Sequence, residues 1–202
     1  MSCQPMIQNQ EPQQVSCLKK SRQQHYEELM ACAGQSSSKV WLAQMISSWL
    51  VGAGVLPDYL GLQPEQFRQL LQQCFSGYCL PVTALSGQVS DFSRMLEKQD
   101  LEQLLSRYAN PEAEYNQWLI SIIVTASLGS DHLWQDMGLW SRQDLTAMLA
   151  RHFPELTVRN SKDMKWKKFL YKQLCEAEGL YVCRAPSCEV CLDYHNCFGA
   201  EV

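Results

Sequence analysis

Trp41-Leu-Ala-Gln-Met-Ile-Ser-Ser-Trp-Leu50 is the stretch whose spacing decides the fold. Trp41, Leu42, Met45, Ile46, Trp49 and Leu50 recur at i, i+1, i+4, i+5, i+8 and i+9. That interval is the repeat of an α-helix with a broad apolar face, not the period of two that marks a strand. Gly52 and Gly54 then end the helix, and Pro57 lies just beyond.

Toward the C-terminus the same pattern returns. Pro64, followed by Glu65, opens a second helix whose inner face is Phe67, Leu70, Leu71 and Phe75. A third is expected from a cap at Ser90 or Asp91 to about Tyr108, burying Phe92, Met95, Leu96, Leu101, Leu104 and Leu105. Asn110-Pro111-Glu112 reads as cap, first residue and acidic first turn of a fourth helix over 111–127. That helix carries Tyr115, Trp118, Leu119, Ile122, Ile123 and Ala126 and is the most apolar of the set. A short helix is expected within Asp131–Leu139, and Ser141-Arg-Gln-Asp resembles a capping box for a helix reaching His152, which Phe153-Pro154 ends. The final helix spans about 161–178, with Gly179 as its stop. No alternating strand pattern of any length is present. The expectation is an all-α protein, an irregular bundle of about five or six helices.

Residues 1–36 are polar and glutamine-rich and read as a flexible extension, with a short helix start at His25-Tyr-Glu-Glu-Leu-Met. The organisation is then an extension over 1–36, a helical bundle over 37–160, and a basic helix with a cysteine-rich tail over 161–202.

A chain of 202 residues bounds this to one domain plus tails. A net charge of -4 argues against a dedicated nucleic-acid binder. Val40–Leu56 is broken by Gln44, Ser47 and Ser48, and Trp118–Gly129 falls short of the roughly 20 apolar residues that a bilayer needs, so no membrane partner is expected. The first ten residues carry neither a basic nor an apolar run, so they are not a secretory signal. The expected compartment is the reducing cytoplasm, where clustered thiols bind metal more readily than they pair.

Half of the ten cysteines fall in the last 28 residues. Cys183, Cys188, Cys191 and Cys197 are spaced C-x4-C-x2-C-x5-C, and Cys175 lies just upstream. Thiolates are soft donors that suit zinc, copper(I) and iron–sulfur clusters. Structural zinc usually takes two short knuckles held a dozen or more residues apart, whereas these four sulfurs share one short segment. The compact wrapping is closer to the iron–sulfur style, and C-x4-C-x2-C also opens the plant-type ferredoxin spacing, although the fourth ligand of that pattern lies far downstream. Zinc and a disulfide framework stay open as alternatives. His195, two residues before Cys197, and His132, at a helix start, are possible further ligands; an ordinary loop or capping histidine is the plainer reading of each.

On the final helix Lys165, Lys168 and Lys172 share one side, with Cys175 near it, and Trp166, Leu170 and Leu174 share another. With Arg159, Lys162, Lys167 and Arg184 these lysines place seven of the 17 basic residues within 26 positions. A solvated helix face would explain them. The functional reading is electrostatic: a thiolate-ligated cluster is negatively charged, and lysines beside it stabilise it and draw in an oxyanion. No Ser/His/Asp grouping, glycine-rich phosphate loop or H-E-x-x-H motif is present, so a carrier is expected rather than an enzyme.

Met164-Lys-Trp-Lys-Lys-Phe-Leu-Tyr-Lys-Gln-Leu-Cys175, the four-cysteine tail with Phe198-Gly199, Ala126-Ser-Leu-Gly-Ser-Asp-His-Leu-Trp-Gln-Asp-Met-Gly-Leu139, Phe153-Pro154 and Arg159-Asn160 together resemble the NifQ family of nitrogen-fixation proteins. The resemblance covers about residues 40–202 and is strongest from 118 onward. It implies a role in building the iron–molybdenum cofactor of nitrogenase, with a molybdenum–iron–sulfur cluster as cargo and molybdenum donated to the assembly proteins, a scaffold and an iron protein. It also implies that Cys183, Cys188, Cys191 and Cys197 are cluster ligands, and it puts Cys175 and His132 on matching positions. Molybdate, drawn by Lys165, Lys168, Lys172 and Arg184, would be taken up beside or into the cluster. A structural-zinc interaction module and a simple iron–sulfur electron carrier are the rival readings.

Overall fold

The computed structural model describes residues 20–34, 38–81, 84–93, 95 and 97–177. Among these the apolar repeats form nine helices: α1 (Arg22–Cys32), α2 (Ser38–Leu50), α3 (Pro64–Cys74), α4 (Lys98–Arg107), α5 (Asn116–Ala126), α6 (Leu133–Asp136), α7 (Arg142–His152), α8 (Pro154–Arg159) and α9 (Trp166–Ala177). A 3-10 turn, Asp58–Gly61, stands between α2 and α3, and no strand forms among the described residues. The all-α expectation holds. The helices are more numerous and shorter than the five or six expected.

Two helices form the centre. α2 is buried from Leu42 through Trp49, including Ser47 and Ser48, and α5 is buried at Trp118, Leu119 and from Ile122 to Ala126. A helix apolar around most of its girth must be enclosed by others. α1 and α7 pack on α2, while α4, α6 and the 3-10 turn pack on α5. α9 lies against α4. Among the described residues no helix is long and apolar enough to cross a membrane.

α1 lies inside the glutamine-rich stretch that composition assigns to a flexible extension. Ser21 and Gln24 cap it reciprocally, at 3.2 and 2.8 Å, and Leu29 is fully buried. His25 and Leu29 are its only buried residues, which is why the sequence around them reads as solvent-facing. Residues 1–19 lie outside the described residues.

Three helices start later than expected, because hydrogen bonds outside the helix take the residues that would have begun them. α4 starts at Lys98, not near Ser90. Asp91 instead accepts the Ser93 N–H at 2.9 Å in a local turn. Upstream, the Asp58 carboxylate accepts the Ser86 and Gly87 N–H groups at 3.0 and 2.7 Å, and the Asp58 N–H donates to the Gln88 carbonyl at 3.0 Å. These bonds hold residues 86–88 against the start of the 3-10 turn. α5 starts at Asn116, not Pro111. Asn110 does accept from Glu112, but its N–H and amide donate to the carbonyls of His152 and Arg151 at 2.8 and 3.2 Å, closing the end of α7. Tyr115, left-handed at φ 69°, then separates this turn from α5. α9 starts at Trp166, after a turn through the left-handed Asp163. The cap at Ser141 forms as expected, accepting the Asp144 N–H at 3.1 Å.

Candidate functional site

α9 is the last described element before the cysteine-rich tail, so its anchorage decides where the tail begins. Trp166, Phe169, Leu170, Tyr171 and Leu174 bury one side of it. Lys167 falls on that buried side and is only 9% exposed. Its ammonium donates to the Gly129 carbonyl at 2.8 Å and forms an ion pair with Asp136.

Asp136 ends α6 and is 1% exposed. Its backbone carbonyl accepts the Val55 N–H at 3.1 Å, and Ser48 of α2 donates to the nearby Gly138 carbonyl at 2.6 Å. The 127–139 segment is thus tied to α2, to the loop after α2 and to α9 at once. Two glycines make the approach possible. A Cβ on Gly129 would overlap the Asp136 carboxylate, and one on Gly138 would sit 2.8 Å from Ser48 Cβ. Burial pushes the Asp136 carboxyl up and the Lys167 ammonium down, while their mutual hydrogen bond and charge act in the opposite sense on both.

The turn from α8 into α9 is held just as firmly. The Asn160 amide accepts the Met164 N–H at 2.8 Å and donates to the Met164 carbonyl at 3.0 Å. Arg142 clamps Asp163 from α7, at 2.8 Å through one N–H, and that guanidinium holds the Asp163 carboxyl below its ordinary value. Beside this turn a cleft of about 260 Å³ opens between α8 and α9, with Arg159, Lys162 and Lys172 on its rim. Glu176 also lines it and lies 3.5 Å from Lys172.

Of the residues singled out from the sequence, Lys165, Lys168, Lys172 and Cys175 stand on or at the start of α9 and are partly exposed. Cys175 is a free thiol three residues beyond Lys172, a spacing that puts both on one helix face. His132 caps α6: its ring accepts the Gln135 N–H, and the Gln135 side chain accepts the His132 N–H at 3.2 Å. Cys183, Arg184, Cys188, Cys191, His195 and Cys197 lie outside the described residues. Among the described residues no group of three or more His, Cys, Asp or Glu side chains is arranged to hold a metal. Cys32, Cys74 and Cys79 are free thiols, and burial pushes Cys74 up to about 11, so it is no thiolate donor near neutrality.

Sequence reasoning missed the Asp136–Lys167 pair. It counted Lys167 with the solvent-facing basic residues. The signal was present in the register: Lys167, Leu170, Tyr171 and Leu174 follow i, i+3, i+4, i+7, so one lysine occupies the apolar stripe. It also grouped the lysines along α9 and did not see that Lys172 faces Arg159 and Lys162 across a cleft.

Fold and site together define an all-α protein whose last described helix, basic on one side and thiol-bearing near its end, leads into a four-cysteine tail. The NifQ family model matches residues 41–199. Protein NifQ of Azotobacter vinelandii is 39% identical over 176 residues, covering 82% of this chain and 90% of that protein. Protein NifQ of Klebsiella pneumoniae is 33% identical over 165 residues, covering 78% and 96%, and that of Rhodobacter capsulatus is 33% identical over 163 residues, covering 79% and 87%. No solved structure matches. The chain belongs to the NifQ family.

Proposed function

We propose that this protein is a non-catalytic molybdenum donor for the biosynthesis of the nitrogenase iron–molybdenum cofactor. The observation that carries this is membership of the NifQ family by a match that reaches residue 199 and so includes the whole cysteine segment. The donor set supports it: Cys183, Cys188, Cys191 and Cys197 within fifteen positions, with Cys175 upstream, fit a thiophilic metal cargo better than a hard cation. In this reading the tail thiolates hold an iron–sulfur cargo that takes up molybdenum. The helices are the scaffold, pinned at the root of α9 by Lys167. Lys165, Lys168, Lys172 and Arg184 offset the negative charge of the thiolates and attract molybdate. The recipients are the assembly proteins of the cofactor.

The test is anaerobic purification after growth with molybdate, followed by iron, molybdenum and zinc counts per chain and an absorption spectrum. Iron and molybdenum together, with a visible chromophore, are expected. Stoichiometric zinc without a chromophore would leave the tail a structural-zinc module. Iron without molybdenum, cycling electrons with no loss of metal, would leave it an electron carrier.

A further inference from the structure

We propose that the cleft between α8 and α9 is a docking site for a tetrahedral oxyanion, separate from the thiolates, and that Glu176 is its competing counter-ion. The inference deepens the reading above by placing the oxyanion away from the wider face of α9.

Three cations meet at the cleft from two helices and the turn between them: Arg159 at the end of α8, Lys162 in the turn, and Lys172 on α9. Against them stands one carboxylate, Glu176, so the cleft carries an excess of positive charge in a chain that is acidic overall. Met164 and Phe169 form an apolar floor, and both are nearly fully buried. A low-dielectric floor strengthens the field of charges at its rim.

The backbone that carries these exposed or partly exposed cations is held in advance. The two Asn160 bonds to the Met164 backbone and the Arg142–Asp163 pair fix the turn that carries Lys162. Arg159 lies 4.9 Å from the Tyr108 ring centroid. That contact places the guanidinium while spending none of its five N–H donors in a conventional hydrogen bond. A volume of about 260 Å³ is small against the roughly 300–1,000 Å³ of pockets for organic ligands. Size and charge both favour a compact dianion such as molybdate, tungstate or sulfate.

Glu176 gives the site a means of release. It pairs with Lys172 at 3.5 Å and accepts from the Gln173 amide at 2.8 Å. An arriving dianion must take Lys172 from Glu176, so the carboxylate weakens binding and favours departure. Cys175 precedes Glu176 by one residue, and Cys183 follows it by seven. The anion is therefore held at the root of the cysteine segment.

The experiment is equilibrium dialysis of the full chain against labelled molybdate at low ionic strength, with sulfate as competitor and circular dichroism as the check on folding. Arg159→Gln with Lys162→Gln should weaken binding at least about tenfold, the size of one or two lost charge-assisted hydrogen bonds. Glu176→Gln should tighten it by a few-fold. Lys165→Gln with Lys168→Gln should weaken it less than the Arg159/Lys162 variant does, because neither lysine lines the cleft and only their longer-range attraction is lost. Serine at Cys183, Cys188, Cys191 and Cys197 should remove the iron but lower molybdate binding by less than the Arg159/Lys162 variant does. Loss of binding in the Lys165/Lys168 variant but not in the Arg159/Lys162 variant would overturn the proposal, as would no binding by the unmodified chain. Molybdate held in the cleft of a protein whose tail contains only zinc would reject the donor function and keep the cleft. Molybdenum loaded with iron in the Arg159/Lys162 variant at undiminished molybdate affinity would do the reverse.

Discussion

The Lys167 ammonium, buried at the start of α9, is paired with the Asp136 carboxylate at the end of α6 and with the Gly129 carbonyl. These residues are 31 positions apart, and the contact joins the central α5–α6 segment to the helix that precedes the cysteines. The geometry explains why a lysine occupies an apolar stripe. Three neighbours, Gly129, Gly138 and Gly54, come close enough around Asp136 or its loop that side chains there would collide or crowd. A buried pair of this kind adds little net stability over apolar residues, but breaking it is costly, which makes it a device for specifying where α9 sits.

Lys167→Met should therefore destabilise the fold by about 3–5 kcal/mol, because Asp136 keeps its charge or must take a proton in a buried place. Asp136→Asn combined with Lys167→Met should recover part of that loss. Denaturant unfolding of the two single variants and the double variant gives the coupling energy directly. Additive effects would show that the pair does not act as a unit.

Gly129→Ala tests the same joint by volume. The added Cβ would enter the space of the Asp136 carboxylate, and both backbone and carboxylate are held by other bonds. A loss of about 2–3 kcal/mol is expected, the scale of overpacking in a filled interior. Gly52→Ala, where nothing lies within 4 Å but φ is +74°, should cost only the backbone strain of about 1 kcal/mol. Equal midpoints in urea for the two variants would show that the carboxylate moves aside freely.

The central helices were legible because their own residues repeat at helical spacing. Trp41 to Leu50 mark the span of α2, and Trp118 to Ala126 mark the body and the end of α5. The helix starts at α4 and α5 were not. Asp91 closes a local turn with Ser93, and whether Asn110 caps a helix or closes a turn depends on the end of α7, which is remote in the chain. The family resemblance was legible in the cysteine spacing and in residues 126–139, and the family match from 41 to 199 bears it out. The structural role of 126–139 was not legible. It rests on Gly129, Asp136 and a lysine whose partner no local pattern reveals.

His152 supplies a pH test. Its ring is fully buried, its Nδ1 lies 2.7 Å from the Asn116 amide oxygen, and Trp41 packs edge-on at 5.8 Å. Burial, helped by Arg151, pushes it down to about 4 from 6.5. Between those values the unfolded chain binds the proton that the folded chain refuses. The contribution is thus complete above pH 6.5 and is lost as pH falls toward 4. A shift of this size corresponds to about 3 kcal/mol. His152→Gln should remove that part of the slope, read as the difference in unfolding free energy between wild type and variant at pH 4 and 7. Parallel curves would mean that the ring is protonated in the fold without penalty.

Asn160→Ala asks whether the turn before α9 serves the cleft as well as the fold. The change removes both bonds to Met164 and leaves a buried N–H without its acceptor, a loss of about 2 kcal/mol. Lys162 would then ride on a loosened turn, although its charge and that of Arg159 are unchanged. Molybdate affinity should fall at temperatures well below the unfolding midpoint, and the fall should be entropic in calorimetry, since the same contacts form from a less ordered start. An Asn160→Asp variant keeps the acceptor for the Met164 N–H but adds a negative charge beside the cleft. It should retain more of the stability yet bind the anion no better than the alanine variant. If stability falls in Asn160→Ala while affinity does not, the turn holds α9 in place and leaves the cations of the cleft to find the anion unaided.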